Sequence, residues 1–226
     1  MRVPVSFKPD DPSELSILAA VRGDSVDCLR NLKASFFERE TFIVARDLLG
    51  CALCHQTPDG PLVGRIVETE AYLGCDDLAS HAARGRTRRN AIMFDAPGHA
   101  YVYLSYGNHW CFNVVAFERP PGGVLIRALE PIAGLEAMAL RRQRGAGLAS
   151  LTNGPGKLTQ ALGIDRAQYG VPLFGDETSL FLSIPDARPS PVVGCGPRIG
   201  IRRAMDLPLR FYVRGSAYLS RSERAS

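Results

Sequence analysis

The chain has 226 residues, of which 46% are hydrophobic and 22% charged, so it is long enough and apolar enough to fold around a packed core. Its formal net charge of +4 permits a polyanionic partner without requiring one. No stretch approaches the roughly 20 apolar residues of a membrane helix, and the N-terminus lacks a signal-peptide pattern. We therefore expect a cytoplasmic monomer without membrane contacts, associated with the nucleoid if the source is bacterial.

The domain is expected to span residues 34–221. Residues 1–33 are polar and irregular and form an N-terminal extension, and residues 222–226 form a short tail. Cys51 and Cys54 have CxxC spacing, but a structural zinc site would need a second matched pair, which the sequence lacks. We predict reduced thiols and no metal.

The first predicted elements are one helix and two strands. Ser35 precedes Glu38 by three residues, which is capping-box spacing, and apolar residues then recur at helical intervals. These features predict a helix from Phe36 to Leu49, followed by strands at 51–56 and 62–72. Residues 75–98 have loop composition, with one helical turn expected among them.

The second half of the chain begins with a predicted hairpin. Aromatic and β-branched residues predict strands at 99–104 and 110–117, joined by a five-residue tip. A strand at 124–129 follows, then a helix from Pro131 to Arg144 and another from Pro155 to just before Gly163. The tail has strand-like segments at 180–184, 198–201 and 209–219. Because strands and helices do not alternate regularly, we predict an α+β fold with a mainly antiparallel sheet.

Two carboxylates in an apolar strand are the first candidates for chemistry. Glu68 and Glu70 lie two residues apart, so they share a face with Tyr72. A solvated strand face would explain an isolated pair, but an aromatic neighbour favours a pocket in which burial raises the pKa of a general base. Arg127, in another apolar strand, is expected to pair with one of the two, or to form an ion pair that is only structural.

The hairpin tip and a glycine-rich helix start are candidate nucleic-acid contacts. Tyr106 lies in the turn sequence Ser-Tyr-Gly-Asn, where a bulky exposed ring can act as a wedge between base pairs. Residues 153–157, NGPGK, open a helix and could bind an anion through free amides and Lys157, although a simple turn is equally compatible. His81 follows Asp76 and Asp77, but no second histidine lies at ligand spacing, so we favour a polar pocket contact.

Several separated segments together resemble the alkyladenine (3-methyladenine) DNA glycosylase family. They are GRIVETEAYLG at 64–74, YVY at 101–103 with YG at 106–107 and Asn113, RALEP at 127–131, GPGKL at 154–158, and RFYVRGS at 210–216. The segments keep the family's order over about residues 34–221. The resemblance implies a single mixed domain around a curved, mainly antiparallel sheet with a protruding β-hairpin and flanking helices.

The same resemblance implies roles in base excision repair of double-stranded DNA containing damaged purines. Glu70 matches the base that deprotonates the attacking water, and Arg127 matches the residue that positions this water. The substrate pocket would be formed by Tyr72, His81, Tyr103, Asn113 and Leu125, with the two tyrosines stacking on either face of an everted base.

Contacts with the DNA backbone and grooves are expected from a second set of residues. Tyr106 matches the side chain that fills the gap left by the extruded nucleotide. The other expected DNA-binding residues lie at the hairpin tip, in the arginine-rich loop and at a helix start: Asn108, Arg86, Arg88, Arg89, Asn90 and Lys157. Asn108 and His109 depart from the larger apolar or aromatic residues that family members can carry there, and residues 81–93 are about one residue shorter.

A monofunctional enzyme without cofactor is the predicted chemistry. A lyase step needs an amine nucleophile, and none of the three lysines, Lys8, Lys33 and Lys157, lies in the pocket segments. Acid assistance for neutral lesions could come from His81. Two alternatives stay open from the residues: a non-enzymatic nucleic-acid-binding module, and a metal-dependent hydrolase using His81 with Asp76 and Asp77.

Overall fold

The structure of the protein is a computed structural model, which describes residues 29–117, 121–143, 147–185 and 190–221. These residues contain nine β-strands. They are β1 (Leu29–Asn31), β2 (Ala52–Thr57), β3 (Gly60–Tyr72), β4 (Ala100–Ser105), β5 (His109–Val115), β6 (Gly123–Ala133), β7 (Leu180–Pro185), β8 (Val193–Gly196) and β9 (Arg210–Val213).

The helices are short and lie between the strands in the chain. They are α1 (Thr41–Asp47), α2 (Leu135–Arg142) and α3 (Pro155–Leu162), with single 3-10 turns at Ala34–Phe36, His81–Arg84, Ala91–Phe94, Leu148–Ser150 and Arg166–Gln168. Each of these helices is too short to span a lipid bilayer.

All nine strands form one antiparallel sheet, which confirms the predicted α+β class. The main order is β1-β7-β2-β3-β6-β5-β4, and β9 pairs with both β3 and β8. The long strand β3 therefore has β6 along one side, while β2 and then β9 share its other side. Glu68–Glu70 lies where β3 is held between β6 and β9, so these residues are fixed by backbone pairing on both sides.

The sheet has one face covered by helices and another that lines a cavity. In β4, Ala100 and Val102 pack in the main core, whereas Tyr101 and Tyr103 line the cavity. The same alternation continues in β5, where Asn113 lines the cavity between Phe112 and Val114 in the core, and in β6, where Arg127 lines the cavity and the preceding Ile126 packs in the core. The period of two along each strand thus separates packing from the site.

A bulge in β3 controls where its carboxylates point. The register against β6 shifts between Ile66 and Glu68 and again before Thr69. Ile66 packs in the main core, as does Ala71, and the Thr69 hydroxyl donates to the carbonyl of Ala45 in α1. With strict alternation, Ile66 would lie on the same face as the two glutamates. The bulge changes the face between Ile66 and Glu68, and the glutamates therefore lie on the face opposite the helices.

Two predicted helix starts are wrong because the backbone there pairs with distant parts of the chain instead of forming helical hydrogen bonds. The helix expected from Phe36 begins at Thr41, since the Phe37 carbonyl accepts from the amide of Phe117 instead of continuing a helix. The helix expected from Pro131 begins at Leu135, because Pro131 remains in the ladder between β6 and β3. The helix from Pro155 is confirmed.

The tail and the loops also differ from prediction. Residues 198–201 are not a strand, since β8 ends at Gly196, and β9 ends at Val213 instead of continuing to 219. The hairpin loop has three residues instead of five, since Ser105 and His109 pair. Residues 75–98 contain two 3-10 turns, where one helical turn was expected. Of the expected N-terminal extension, residues 1–28 lie outside the described chain, as do residues 222–226.

Candidate active site

The cavity on the helix-free face of the sheet has a volume of about 680 Å³. This volume falls within the range typical of small-molecule sites. The expected pocket residues all line it, together with Arg127: Tyr72, His81, Tyr103, Asn113 and Leu125. Tyr106 lies at its margin. Aromatic rings and a few polar groups in one concave site are suited to a flat heterocycle with hydrogen-bonding edges.

Glu70 is fully buried and is bonded from three sides. Its Oε1 accepts from the Ile199 amide at 2.6 Å, and its Oε2 accepts from the Tyr72 hydroxyl at 2.9 Å. Arg127 Nη1 lies 3.3 Å from Oε2. Burial raises the pKa of Glu70, and the charge of Arg127 and the two hydrogen bonds oppose that shift without cancelling it.

The arrangement leaves Glu70 able to accept one more proton donor. A carboxylate oxygen has two lone-pair sites, and among the described residues Oε1 receives a hydrogen bond only from Ile199. A water molecule reaching Oε1 could therefore donate to it without displacing the amide. A buried carboxylate with a raised pKa and a free acceptor site is a competent general base.

Glu68 has a different environment from Glu70, although both are fully buried. It accepts from Arg210 Nε, from the Ser220 amide at 2.7 Å and from the Ser220 hydroxyl at 3.0 Å. Arg127 Nε lies 3.6 Å from its Oε1. Glu68 therefore has a structural role, and Arg127, which was expected to pair with one of the two carboxylates, lies between both of them.

The tyrosines and His81 form the aromatic part of the cavity. The rings of His81 and Tyr103 are edge-on, with centroids 4.7 Å apart, and Tyr101 and Tyr103 are 5.2 Å apart. His81 Nδ1 is 2.7 Å from the Tyr101 hydroxyl. Burial lowers the pKa of His81 to about 4, with Arg89 and Arg84 contributing, so the ring is neutral at pH 7. This does not favour His81 as a proton donor to neutral lesions and leaves it a hydrogen-bonding role.

Asn113 and Leu125 face each other across the β5–β6 ladder and form a small part of the wall. Asn113 is buried, and its Nδ2 donates to the Tyr101 carbonyl at 3.0 Å. The amide is therefore held in one orientation at the cavity surface. Such a fixed polar group can discriminate between exocyclic substituents on a base.

The sequence analysis missed a second buried ion pair beside the cavity. Arg198 contacts Asp77 through both terminal nitrogens, and its Cζ lies 4.7 Å from the centroid of the Tyr72 ring. Ile199, which holds Glu70, was also missed. The only available signal was the sequence PRIGI at 197–201, in which an arginine lies beside apolar residues and glycine.

The hairpin tip carries an exposed aromatic residue in a strained conformation. The Tyr106 side chain is 90% exposed, and its φ is +49°, followed by +75° at Gly107. Positive φ at both central residues is the requirement of a type I′ turn. A non-glycine residue in this region costs roughly 1–2 kcal/mol. Exposure and strain at one large ring are both unfavourable for folding alone, which points to a functional reason for Tyr106. Asn108 is exposed beside it.

The arginine-rich loop lies along the cavity margin. Arg88 is exposed, and Arg86 is exposed while paired with Asp95 at 2.7 Å. Arg89 packs over the Tyr103 ring at 4.9 Å and donates to the Leu104 carbonyl. Asn90, also expected to contact DNA, is instead buried, and its amide bonds to the loop at the carbonyls of His81 and Gly85. Asn90 therefore organises the loop from within and does not present its side chain at the surface.

Lys157 lies in the first turn of α3, as predicted for an anion site. Its Nζ donates to Asn153 Oδ1 at 2.7 Å, and a second cavity of about 540 Å³ is formed there with His109 and Arg142. His109 packs against Gly156, where an added Cβ would approach the histidine to 3.0 Å. The start of β5 and the start of α3 are thus in contact beside this cavity.

Asp77, a candidate ligand in the alternative metal-dependent mechanism, is held by other groups. Asp77 accepts hydrogen bonds from Arg198 and from the backbone amides of Leu73 and Ala79, the two amides each lying at 3.1 Å. Burial alone would raise the pKa of Asp77, but these donors outweigh it and hold the pKa below its ordinary value. Within the described chain no three His, Cys, Asp or Glu residues are grouped as metal ligands. Cys51 and Cys54 are free thiols in different core clusters, as expected.

Comparison with known proteins gives a consistent result over nearly the whole described chain. Residues 35–217 match the family model for methylpurine-DNA glycosylase. A relative from Chlorobaculum tepidum named "putative 3-methyladenine DNA glycosylase" is 47% identical over 197 residues, which covers 86% of this chain and 93% of the relative. Relatives with the same name from Methanoculleus marisnigri and Granulibacter bethesdensis are 49% and 51% identical, and cover 84% and 83% of this chain and 98% and 86% of their own lengths.

Proposed function

This chain belongs to the methylpurine-DNA glycosylase family and is a DNA glycosylase, and we propose that it hydrolyses the N-glycosidic bond of alkylated or deaminated purines with water activated by Glu70. The observation that carries the proposal is the buried Glu70–Arg127 pair beside an aromatic cavity of about 680 Å³. A non-enzymatic binding module would have no use for a carboxylate held there at the cost of burial.

The hydrolysis requires one carboxylate with two tasks. As the bond between C1′ and the purine nitrogen breaks, its electron pair leaves with the base and the sugar acquires oxocarbenium character. Glu70 stabilises that positive charge and takes a proton from the water whose oxygen bonds to C1′. Arg127 keeps Glu70 ionised by its charge and orients it.

Base recognition is assigned to the aromatic walls. The base must leave the helix to reach the cavity, because its glycosidic bond is inaccessible within the stack. Tyr72 and Tyr103 would stack on its two faces, and an alkylated purine carrying positive charge gains cation–π attraction from them. Asn113 and neutral His81 would read the base edge by hydrogen bonding.

The proposed enzyme is monofunctional. A strand-nicking glycosylase forms a Schiff base through an amine. The lysines within the described chain are Lys33 and Lys157, and neither lines the cavity. Lys157 is bonded to Asn153 in α3. We therefore expect release of a free base and an intact strand at the abasic site.

The DNA surface would surround the cavity mouth. Tyr106 enters the duplex as the wedge that replaces the everted nucleotide. Phosphates are expected to meet Arg86, Arg88 and Arg89 on one side and Lys157 with the amides at the start of α3 on the other. One copy of the chain supplies all these groups, so a monomer acting on double-stranded DNA is sufficient.

The decisive experiment is a base-release assay with Glu70→Gln. Duplexes carrying 3-methyladenine, 7-methylguanine, ethenoadenine or hypoxanthine are incubated with excess enzyme, and the free base is quantified. Wild-type protein is expected to release at least one of them in excess chelator without cutting the strand. Glu70→Gln should retain duplex binding and lose on the order of 10³-fold or more in rate. Equal rates for the two proteins would refute the proposal.

A further inference from the structure

The loop between β8 and β9 contains a buried arginine that the proposed chemistry does not use directly. Arg198 is almost fully buried, and Nη1 donates to the Ala71 carbonyl at 3.0 Å. Both terminal nitrogens bond to Asp77, with Nη2 to Oδ1 at 2.8 Å, and Nη2 also reaches the Ala204 carbonyl at 3.3 Å. One side chain thus joins the end of β3, the segment that follows it and the β8–β9 loop.

Stability alone is a poor explanation for this ion pair. Removing two charges from water is costly, and well-packed apolar residues often replace a buried pair without loss of stability. Asp77 is itself fixed by the amides of Leu73 and Ala79. The pair is therefore a rigid connection whose value lies in what it positions.

The backbone next to Arg198 supplies a hydrogen bond to Glu70. The Ile199 amide donates to Glu70 Oε1 at 2.6 Å. Because residues 198 and 199 share a peptide bond, anchoring the Arg198 guanidinium restricts where this amide can point. No other backbone amide donates to Glu70 within the described chain.

The same guanidinium also supports the other neutral donor to Glu70. Its Cζ lies 4.7 Å from the centroid of the Tyr72 ring, at cation–π distance. The hydroxyl of that ring donates to Glu70 Oε2 at 2.9 Å. Of the three groups that hold Glu70, two therefore depend on Arg198, and only Arg127 is independent.

We propose that Arg198 and Asp77 form a positioning pair for Glu70, which holds the Ile199 amide on one carboxylate oxygen and the Tyr72 hydroxyl on the other. This inference rests on the proposed function for its catalytic meaning, but the geometry that it invokes exists in the free protein. Neither residue touches the reacting atoms, so they are positioning residues and not catalytic ones.

Loss of the pair has a definite direction. Hydrogen bonds to a carboxylate favour its charged form, so weakening the Ile199 and Tyr72 contacts raises the pKa of Glu70 further. The charged and titratable groups that face Glu70 directly are Glu68, Tyr72 and Arg127, with Arg210 opposite in β9. Tyr103 and Arg198 act on it through Tyr72. Replacing both Arg198 and Asp77 by apolar residues removes one positive and one negative charge, whose effects on the pKa of Glu70 oppose each other, so the loss of the two hydrogen-bond supports sets the direction.

The test measures Glu70 directly and does not need turnover. The ¹³C chemical shift of the Glu70 carboxyl, assigned by its loss in Glu70→Gln, is followed against pH in wild-type protein and in the double variant Arg198→Met/Asp77→Leu. The apolar pair keeps the volume buried, and an unfolding midpoint near that of wild type shows that the fold is retained. We expect the carboxyl midpoint to move up by on the order of one pH unit.

Two further variants keep the result interpretable. Arg198→Gln/Asp77→Asn, which removes both charges and keeps hydrogen-bonding groups at the two positions, should move the midpoint up by less than the apolar pair, and it serves if the first double variant does not fold. Arg202→Met, which removes an exposed arginine from the same loop, should leave the midpoint unchanged. Single-turnover excision of ethenoadenine by the double variant should be slower by about tenfold at low pH, with its ascending limb shifted in parallel.

The outcomes separate the two proposals. An unchanged Glu70 midpoint in a folded double variant overturns the positioning role, whatever the enzyme does to DNA. A midpoint that moves up supports it, and a midpoint that moves down overturns it as well. Wild-type protein that shows the Glu70 titration but releases no purine contradicts the proposed function and leaves the comparison of midpoints valid.

Discussion

The polar network beneath the cavity and the rim around its mouth are built in opposite ways. Beneath the cavity, Glu68, Glu70 and Arg127 are buried, and each carboxylate receives several hydrogen bonds or ion pairs. At the rim, Tyr106 and Arg88 are exposed, and Tyr106 lies on a strained turn.

This difference divides the enzyme's tasks between the two regions. Groups that stabilise charge in a transition state must be fixed before the reaction, which requires burial and full hydrogen bonding. Groups that engage DNA must be accessible before it arrives and tolerate many sequences. Substitutions beneath the cavity should therefore alter stability or chemistry, and substitutions at the rim should alter binding with the fold and the chemistry kept.

The largest expected effect is on the stability of the buried network. Glu68→Gln leaves Arg210 without its counter-charge and removes one of the two carboxylates paired with Arg127, and breaking a buried pair costs roughly 3–5 kcal/mol. The free energy of unfolding, measured in urea, should fall by about that amount. Glu70→Gln is the matched control two residues away. Burial already disfavours its charge, so its substitution should change the free energy of unfolding by less than about 1 kcal/mol.

A second prediction concerns the rim. Tyr106→Ser removes the ring that would fill the emptied stack, and affinity for lesion duplex should fall on the order of 10–100-fold, from stacking energies of about 1–3 kcal/mol. Binding to single strands should change much less. Tyr106→Asn is the backbone control, because asparagine tolerates positive φ. Equal losses on both DNA forms would argue against a wedge, and a lower unfolding midpoint in both variants would indicate a structural role instead.

The pH dependence of excision should follow the buried network alone. Glu70 acts as a base only when deprotonated, so the single-turnover rate falls about tenfold per pH unit below its pKa. Since burial raises that pKa, the ascending limb should lie above the ordinary value of 4.5. His81, neutral above about pH 4, should add no second limb near neutrality. Tyr106→Ser should keep the wild-type midpoint at saturating enzyme, and a shifted midpoint in that variant would contradict the division between the regions.

The smallest expected effect is electrostatic. Each phosphate contact contributes a slope of about −0.9 to log K against log salt concentration, so Arg88→Ala should make the slope shallower by roughly that amount. Base release at saturating enzyme should not change. Arg141→Ala, which removes an arginine paired with Asp59 on the β2–β3 turn, is the control with an unchanged slope. Identical slopes for the wild type and Arg88→Ala would place residue 88 outside the DNA surface.

Much of the site was predictable because a strand repeats every two residues. Glu70 and Tyr72 share a face as a direct result of that period, and the same holds for Tyr101 and Tyr103. The exposed Tyr106 followed from turn composition, which is also local. The resemblance of separated segments to one glycosylase family indicated that these strand faces meet at one site. The family itself is confirmed.

The failures share a different origin. Asn90 was expected to contact DNA, yet tertiary contacts bury it, and its amide donates to two carbonyls of its own loop. The helix start at Phe36 failed because a carbonyl there bonds to Phe117, far along the chain. In each case local composition predicted the polarity of the segment correctly but not the group with which it forms hydrogen bonds.

The sequence by itself predicted the candidate residues for the chemistry and the face that Glu70 shares with Tyr72, because residue type and the two-residue period of a strand are local properties. Only the tertiary structure decided that Glu68 accepts from Arg210 and Ser220 while Glu70 accepts from the Ile199 amide beside the cavity, and that Arg198 bonds to Asp77. These partners lie 121 to 152 residues apart. A buried charge selects its partner only when folding has excluded water and brought the segments together, and no pattern within one segment encodes that selection.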